Sequence, residues 1–242
     1  MKERKISFKS QGQKVVGILT EPDNPRRSSI IIVPGFRCTK EDYKEESRLF
    51  CKNGFRTLTL DLRGRGESDG IFEEITLDDS ISDVNLAIRF LKTDVGIYGE
   101  SYGGLVAINA CENPRIKSLV LISPVVDIKT IHGGNAYEDA MTKGVFEYDT
   151  HWKGIIDVYS KKFVENAAKH NSYDNIKKTN SPVLIFHGEK DKVVPFSDVK
   201  KLFDEIEGEK KLITYPDCGH SIDSHWEEIS EETVNWFKKW LE

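Results

Sequence analysis

The sequence predicts an α/β fold with a mostly parallel central sheet of about eight strands, helices on both faces and a small cap insertion. Short apolar runs alternate with amphipathic helical patterns along most of the 242 residues, which is typical of a parallel sheet covered by helices. Residues 30–33 are apolar throughout, as expected for a strand buried on both faces. The alternation stops between about 125 and 180. We interpret this stretch as the cap of a single domain that spans 1–242.

The first half of the chain predicts a hairpin followed by alternating strands and helices. Thr76 is suited to cap one of the helices, and Gly54 suits the left-handed residue that ends another. The helix after Thr76 carries apolar residues at alternating spacings of four and three, which places them on one face: Leu77, Ile81, Val84, Ile88 and Leu91. In chain order the prediction comprises strands at 5–8, 14–19, 30–33 and 56–60 and helices at 41–53 and 77–91.

The second half continues the alternation and interrupts it once. A helical pattern around 155–164 lies inside the interrupted stretch. The last helix is expected to bury Trp236 and Phe237 and to begin near Ser224, which stands at capping-box spacing from Glu227. The remaining predicted elements are strands at 95–98, 118–122, 183–186 and 212–215 and helices at 102–111 and around 199–206.

Charge and composition exclude several classes of protein. The net charge of −5 argues against nucleic-acid binding, which normally needs a concentrated basic face. No apolar run approaches the roughly 18–20 residues of a membrane-spanning helix. Residues 1–5 are charged and precede a strand pattern rather than a signal-peptide core, so we expect a cytoplasmic protein. The four cysteines lack metal-type spacing, which predicts structural thiols and no bound metal.

The run Gly99-Glu100-Ser101-Tyr102-Gly103 follows a predicted strand and precedes a predicted helix. In that setting a serine lies on a sharp turn with its hydroxyl exposed, and the glycines avoid collisions at the turn. The helix that follows directs backbone N–H groups and its positive dipole end toward this hydroxyl. The motif therefore predicts Ser101 as the nucleophile of an acyl-transfer reaction. A plain strand-to-helix turn is the alternative interpretation.

A serine nucleophile needs a base that is itself held in place. In enzymes with this turn the chain order is serine, acid, histidine, with both partners on loops after later strands. Asp191 follows the strand at 183–186 and His220 follows the strand at 212–215. Both positions lie at carboxyl ends of strands, where open α/β sheets bind their ligands. We therefore predict His220 as the base and Asp191 as the orienting acid.

Other acids and histidines fit these roles less well. Asp217 and Asp223 flank His220 on its own loop and remain alternatives for the acid. His225 falls inside the predicted last helix, and His187 stands too close to the end of its strand to reach across. The other histidines precede the acid in the cap.

An oxyanion hole requires two N–H donors, one after the nucleophile and one from the loop after an early central strand. The Tyr102 N–H is the first donor. The second is expected from residues 34–37, with the Phe36 N–H as the predicted group. The alternative is that Gly35 only forms a turn there.

By these motifs the chain resembles the α/β-hydrolase superfamily over almost its whole length apart from the cap. Residues 34–36, 99–103 and 187–191 are similar to bacterial cinnamoyl/feruloyl esterases and to serine-aminopeptidase-like hydrolases, with a fainter likeness to acyl-thioester hydrolases. Those families usually have His where this chain has Pro34, a departure that leaves the N–H donor intact. Residues 61–68 look like a mainly structural loop of the superfamily. The resemblance implies ester, thioester or amide cleavage without metal or organic cofactor.

The cap supplies the candidate substrate-binding residues His132, Tyr148, His151 and Trp152. These side chains are suited to line an acyl or aromatic pocket over the nucleophile. They are equally suited to form the cap's own small core. A metal site at His132 and His151 lacks support from ligand spacing.

The leading functional prediction is a serine esterase acting on a small-molecule ester of a small to medium acyl or aromatic acid. An acyl-thioesterase with the same residues is the first alternative. An aminopeptidase is disfavoured because no acidic pair in the cap awaits a substrate amine. A ligand-binding protein that has lost catalysis is the alternative from another class. A homodimer is compatible with the sequence.

Overall fold

Eight strands form one central sheet in the computed structural model, which describes residues 1–150, 154 and 156–241. Two further strands pair as a separate hairpin. The strands are, in chain order, β1 (Lys2–Ser10), β2 (Gln13–Glu21), β3 (Ser29–Val33), β4 (Arg56–Asp61), β5 (Val95–Glu100), β6 (Ile116–Ile122), β7 (Val145–Asp149), β8 (Ile156–Ser160), β9 (Val183–Gly188) and β10 (Lys210–Tyr215).

The order across the central sheet is β1-β2-β4-β3-β5-β6-β9-β10. The pairs β1–β2 and β2–β4 are antiparallel, and the remaining neighbours are parallel. The helices are α1 (Lys44–Lys52), α2 (Leu77–Leu91), α3 (Tyr102–Ala110), α4 (Asn135–Lys143), α5 (Lys161–Ala167), α6 (Ser172–Ile176), α7 (Phe196–Glu205) and α8 (Trp226–Trp240). The predicted fold class is confirmed.

The uniformly apolar β3 is explained by two hydrophobic clusters, one on each face of the sheet. Ile31 and Val33 join the cluster that includes α2 and α3, whereas Ile30 and Ile32 join the cluster beneath α1 and α8. Successive strand residues point to opposite faces, so a strand covered on both sides must be apolar at every position. The strand ends at Val33, directly before the loop at 34–37.

Helix α2 begins as the sequence predicts. The Thr76 side chain accepts a hydrogen bond from the Asp79 N–H, and the Asp79 carboxylate accepts one from the Thr76 N–H in return. This reciprocal cap satisfies two of the N–H groups that a helix leaves unpaired at its start.

Two local predictions were wrong. The segment expected to form a helix around 155–164 contains a strand followed by a helix. Strand β8 pairs antiparallel with β7. Helix α5 starts only after Ser160, whose hydroxyl accepts a hydrogen bond from the Phe163 N–H. The last helix does not begin at a capping box on Ser224. A short 3₁₀ turn covers Asp223–His225, and α8 follows without a side-chain cap.

The interrupted stretch at 125–180 holds α4, the β7–β8 hairpin, α5 and α6. Its interpretation as a cap on a single domain stays a prediction. In the part of the chain that the structure describes, no helix is both long and apolar enough to cross a membrane.

Candidate active site

Ser101 lies on a sharp turn between β5 and α3. Its backbone has φ 50° and ψ −111°, a left-handed conformation that costs a residue with a side chain about 1–3 kcal/mol. A Cβ at Gly99 would stand 2.6 Å from the Gly103 carbonyl oxygen, and a Cβ at Gly103 would overlap the carbonyl of Val33. Glycines at 99 and 103 are therefore required for the turn, which presents Ser101 at the carboxyl edge of the sheet.

Three side chains from three loops form a hydrogen-bonded series at this edge. The Ser101 Oγ is 2.9 Å from the His220 Nε2, and the His220 Nδ1 is 2.7 Å from the Asp191 Oδ2. The Asp191 side chain is fully buried, whereas the His220 side chain is 29% exposed. The series thus runs from a buried carboxylate to a serine that substrate can reach.

The Asp191 carboxylate is fixed by its own loop. Its Oδ1 accepts hydrogen bonds from the Val193 and Val194 N–H groups at 2.7 and 2.9 Å. Burial alone would raise the pKa of Asp191, but the hydrogen bond to His220 and its charge outweigh burial and lower the pKa. The carboxylate is therefore ionised at neutral pH and free to orient the imidazole through Oδ2.

The pKa of His220 is set by opposing effects. Burial lowers it, but the hydrogen bond and charge of Asp191, together with the nearby charges of Glu100 and Asp157, raise it above its ordinary value of 6.5. A raised pKa makes the imidazole a stronger proton acceptor. It also means that the neutral form, which a base requires, is lost at a higher pH.

The alternative acids and bases are placed elsewhere. Asp217 is 95% exposed and pairs with Lys190 at 2.9 Å, and Asp223 accepts from the Ser221 hydroxyl. His187 is buried with its Nε2 3.2 Å from the Val194 carbonyl oxygen. It also lies 3.5 Å from Asp191, so it lies behind the acid rather than beside Ser101.

The two residues that carry the predicted oxyanion donors are in contact through their side chains. The rings of Phe36 and Tyr102 meet edge to face, with centroids 5.4 Å apart. Among the described residues, no protein acceptor takes a hydrogen bond from the backbone N–H of either one. A buried N–H without a partner is unusual. Both donors are therefore available to an oxygen atom of a bound substrate.

The cap residue His132 lies near this site. Burial, reinforced by the charge of His220, lowers the pKa of His132 to about 4, so its ring is neutral at neutral pH. Its ring centroid is 4.1 Å from that of Tyr148, and its backbone N–H donates to the Val193 carbonyl oxygen at 2.9 Å. The two other predicted cap residues, His151 and Trp152, lie outside the described residues.

Asp157 was missed as a site residue by the sequence analysis, and Tyr159 was considered only as one of the aromatic residues of the cap, without a place on a strand. The Tyr159 ring stacks on Phe36 with centroids 4.4 Å apart and an interplanar angle of 8°. Asp157 interacts with the Tyr159 phenol, and burial raises the pKa of Asp157 to about 6. Both lie on β8, which the helical interpretation of 155–164 concealed. A period-two reading of 156–160 would have placed them on one side of a strand.

The donor set does not resemble a metal centre. Among the described side chains, no three from His, Cys, Asp and Glu are arranged to hold a metal ion. The arrangement is suited to remove the proton from a serine hydroxyl. It is also suited to donate hydrogen bonds to a negatively charged oxygen.

A family model matches most of the chain. The sequence model of the prolyl oligopeptidase family matches residues 42–242. The chain belongs to this family. Its members share the serine-hydrolase chemistry of the α/β-hydrolase superfamily, and the predicted resemblance is confirmed. The chain is therefore a hydrolase.

Proteins similar to this chain include an esterase/perhydrolase and a thiohydrolase. A bifunctional esterase/perhydrolase of Acinetobacter calcoaceticus is 26% identical over 91% of this chain and 94% of its own length. The ferulic-acid-bound structure of Est1E from Butyrivibrio proteoclasticus has a TM-score of 0.79 and 26% identity, and covers 98% of this chain and 99% of its own. A thiohydrolase of Eupenicillium brefeldianum is 30% identical over 45% of this chain and 38% of its length.

Proposed function

We propose that this hydrolase is a serine esterase that cleaves carboxylic esters of small to medium acyl or aromatic acids. The observation that carries the proposal is the hydrogen-bonded series from Ser101 through His220 to Asp191. A serine on a strained turn, a histidine at hydrogen-bond distance and a buried carboxylate on the other imidazole nitrogen are the parts that acyl transfer needs.

The first half of the proposed reaction forms an acyl-enzyme. The Ser101 Oγ attacks the ester carbonyl carbon while the His220 Nε2, 2.9 Å away, accepts the hydroxyl proton. Asp191 accepts from the Nδ1–H throughout, which keeps Nε2 unprotonated in the resting state and stabilises the imidazolium that forms. His220 then returns the proton to the departing alcohol.

The second half releases the acid. Water, deprotonated by His220, attacks the acyl-enzyme carbonyl, and the proton returns to Ser101 as the carboxylic acid leaves. In both halves the carbonyl oxygen gains negative charge, which the N–H groups of Phe36 and Tyr102 would receive. Removing one such donor from a hydrolase typically costs about 10²–10³ in kcat.

The aromatic surroundings of the site support an acyl or aromatic acid as the substrate. Phe36, His132, Tyr148 and Tyr159 form a connected set of ring contacts, with centroids between 4.1 and 5.7 Å apart. Flat apolar faces favour an aromatic or short acyl group through burial and ring stacking. The ferulic acid bound in Est1E is consistent with a substrate of this size and shape.

A thioester substrate is the second candidate. The relative named thiohydrolase favours it, and the same proposed residues would act on either substrate, because attack on a thioester forms the same acyl-enzyme.

The test is labelling and turnover with graded substrates. A fluorophosphonate probe should label the wild-type protein and not Ser101→Ala, since only an activated serine reacts. p-Nitrophenyl esters of increasing chain length, methyl ferulate and acyl-CoA are then compared by kcat/KM. Higher kcat/KM on acyl-CoA than on every oxygen ester would favour the thioesterase. No labelling and no turnover would favour a ligand-binding protein.

A further inference from the structure

Arg65 is a buried cation that pairs with no carboxylate of the residues described in the structure. The residue is only 6% exposed. Among the described residues no carboxylate lies within ion-pair distance of it, unlike Arg63 two residues earlier, which pairs with Asp83 at 2.6 Å and with Asp79 at 3.0 Å. A buried charge that lacks a partner is costly.

The side chain of Arg65 contacts both residues of the proposed oxyanion hole, in addition to the Arg63 carbonyl oxygen at 3.4 Å and the Phe72 ring, whose centroid is 4.8 Å away. Its Nε donates to the Phe36 carbonyl oxygen at 2.5 Å. Its guanidinium carbon lies 4.9 Å from the Tyr102 ring centroid and 5.6 Å from that of Phe36, and the group also interacts with the Tyr102 phenol. One side chain therefore holds both residues that carry the N–H donors.

Tyr43 holds the same loop from the opposite side. Its hydroxyl accepts a hydrogen bond from the Gly35 N–H at 3.0 Å, and it interacts with the carboxyl of Glu100, the residue before the nucleophile. The Tyr43 side chain is buried in the cluster beneath α1 and α8. The peptide between Gly35 and Phe36, which carries the second donor, is thus fixed at both ends by buried groups.

We propose that Arg65 and Tyr43 are positioning residues that hold the Phe36 and Tyr102 N–H groups for the oxyanion. This inference rests on the proposed function. Displacement of a catalytic group by about 1 Å can cost about 10²-fold in rate, so the position of the 35–36 peptide matters. Arginine stays protonated at neutral pH. Its charge near the site would also favour a developing negative oxygen.

The test compares two buried arginines of one loop. Arg65→Lys and Arg63→Lys both replace a buried guanidinium by an ammonium group. Of the two arginines, only Arg65 contacts Phe36 and Tyr102. kcat and KM for p-nitrophenyl butyrate are measured per labelled Ser101. The Ki of an alkyl trifluoromethyl ketone, which forms a charged tetrahedral adduct with serine, is measured alongside.

Arg65→Lys is expected to lower kcat by about 10–100-fold with KM within about twofold, and to raise the ketone Ki by a similar factor as kcat falls. Arg63→Lys is expected to lower Tm while kcat stays within about twofold of wild type. A merely structural role for Arg65 would move Tm without moving the ketone Ki.

A second pair of variants decides the question if Arg65→Lys does not fold. Tyr43→Phe and Tyr98→Phe each remove one buried tyrosine hydroxyl from the same cluster, and only the first frees the Gly35 N–H. Tyr43→Phe is expected to lower kcat about tenfold and Tyr98→Phe less than about twofold.

The outcomes separate this inference from the proposed function. If wild type turns over esters and neither Arg65→Lys nor Tyr43→Phe lowers kcat more than its control, the inference is overturned alone. If kcat falls while the ketone Ki is unchanged, it is overturned as well. A wild-type protein without turnover or labelling overturns both.

Discussion

The carboxyl edge of the sheet and the β7–β8 hairpin both contribute residues to the proposed site, and the chain holds them differently. At the sheet edge, Ser101 donates its N–H to the Ile122 carbonyl oxygen at 2.8 Å and accepts from the Val125 N–H at 3.0 Å. In the hairpin, Tyr148 and Ile156 are 37% and 50% exposed. The proposed reacting groups are held by backbone hydrogen bonds of the sheet edge, whereas the hairpin combines the buried Tyr159 with the partly exposed Tyr148.

This difference suggests that the sheet edge carries out the chemistry and the hairpin selects the acyl group. A buried, hydrogen-bonded frame can keep a nucleophile and a base in reacting geometry, whereas surface strands open at lower free energy. The chemistry should therefore be sensitive to single atoms at the sheet edge. The choice of acyl group should be sensitive to side-chain size in the hairpin and should tolerate change. The following predictions test each half of that contrast.

The largest effect is expected from the nucleophile. Ser101→Ala should lower kcat by about 10⁶-fold, because alanine at this turn has no hydroxyl to attack the ester. The fold should be retained, because the change removes one hydroxyl from a surface-facing turn and leaves no core cavity. Turnover is measured against wild type with Tm as the control for folding. Retention of more than a few per cent of the activity in contaminant-free protein would remove Ser101 from the mechanism.

The next largest effect is expected at the acid. Asp191→Asn should lower kcat by about 10⁴, since an amide does not hold His220 in the required tautomer. The matched control is Asp217→Asn, because Asp217 is 95% exposed and contacts Lys190. That control should change kcat little. A reversed order of the two effects would identify Asp217 as the acid.

A smaller effect is expected on the pH dependence. His220 acts as a base only when neutral, and its pKa is raised above 6.5 by Asp191 and Glu100 after burial has lowered it. As pH falls through that raised pKa, kcat/KM should fall along a one-proton limb with its midpoint above 6.5. The measurement is the kcat/KM profile of a p-nitrophenyl ester from about pH 5 to 9.

Glu100→Gln isolates one of the charges behind that shift. Removing a negative charge near the imidazole disfavours its protonated form, so the pKa of His220 should fall. Activity should then persist to lower pH, because the midpoint of the limb follows the lowered pKa. Glu227→Gln, on an exposed position of α8, should leave the midpoint in place. An upward displacement in Glu100→Gln would contradict the electrostatic account.

The sequence predicted the sheet-borne half of the site better than the cap. The residues brought together at the sheet edge follow strands that the sequence predicts, so their position at the carboxyl edge follows from the topology. The hairpin was not predicted: Val158 and Tyr159 also suit a helix face, and pairing with β7 decides in favour of a strand. Strand formation here depends on the cross-strand partner, and the pattern of 155–164 taken alone is compatible with either structure.

Arg65 illustrates a second limit. The sequence places it in a loop interpreted as structural, beside Arg63, and nothing in the residue types separates the two. Their difference lies in partners that are distant in the chain: Asp83 for Arg63 and the Phe36 carbonyl for Arg65. Which buried cation meets a carboxylate is decided by the packing of α2 and the 34–37 loop. Only the three-dimensional structure shows it.

The smallest effect is expected in the cap. Tyr148→Ala removes a ring whose centroid is 4.1 Å from that of His132, but the side chain is already 37% exposed. An aromatic contact contributes about 0.5–1.5 kcal/mol, which corresponds to roughly 2–12-fold in affinity. KM for methyl ferulate should therefore rise by a factor in that range, with kcat for p-nitrophenyl acetate unchanged, because Tyr148 takes no part in the proposed proton transfers.

Phe90→Ala is the matched control for this last variant, because Phe90 is equally exposed at 37% and lies on α2. It should leave both substrates unaffected. If Tyr148→Ala lowers kcat for acetate as strongly as KM rises for ferulate, the hairpin supports the reacting groups themselves. The division between a rigid chemical edge and a selective cap would then be wrong. A selective rise in KM would instead locate acyl recognition on the exposed strands, where substitutions are tolerated because the sheet does not depend on them.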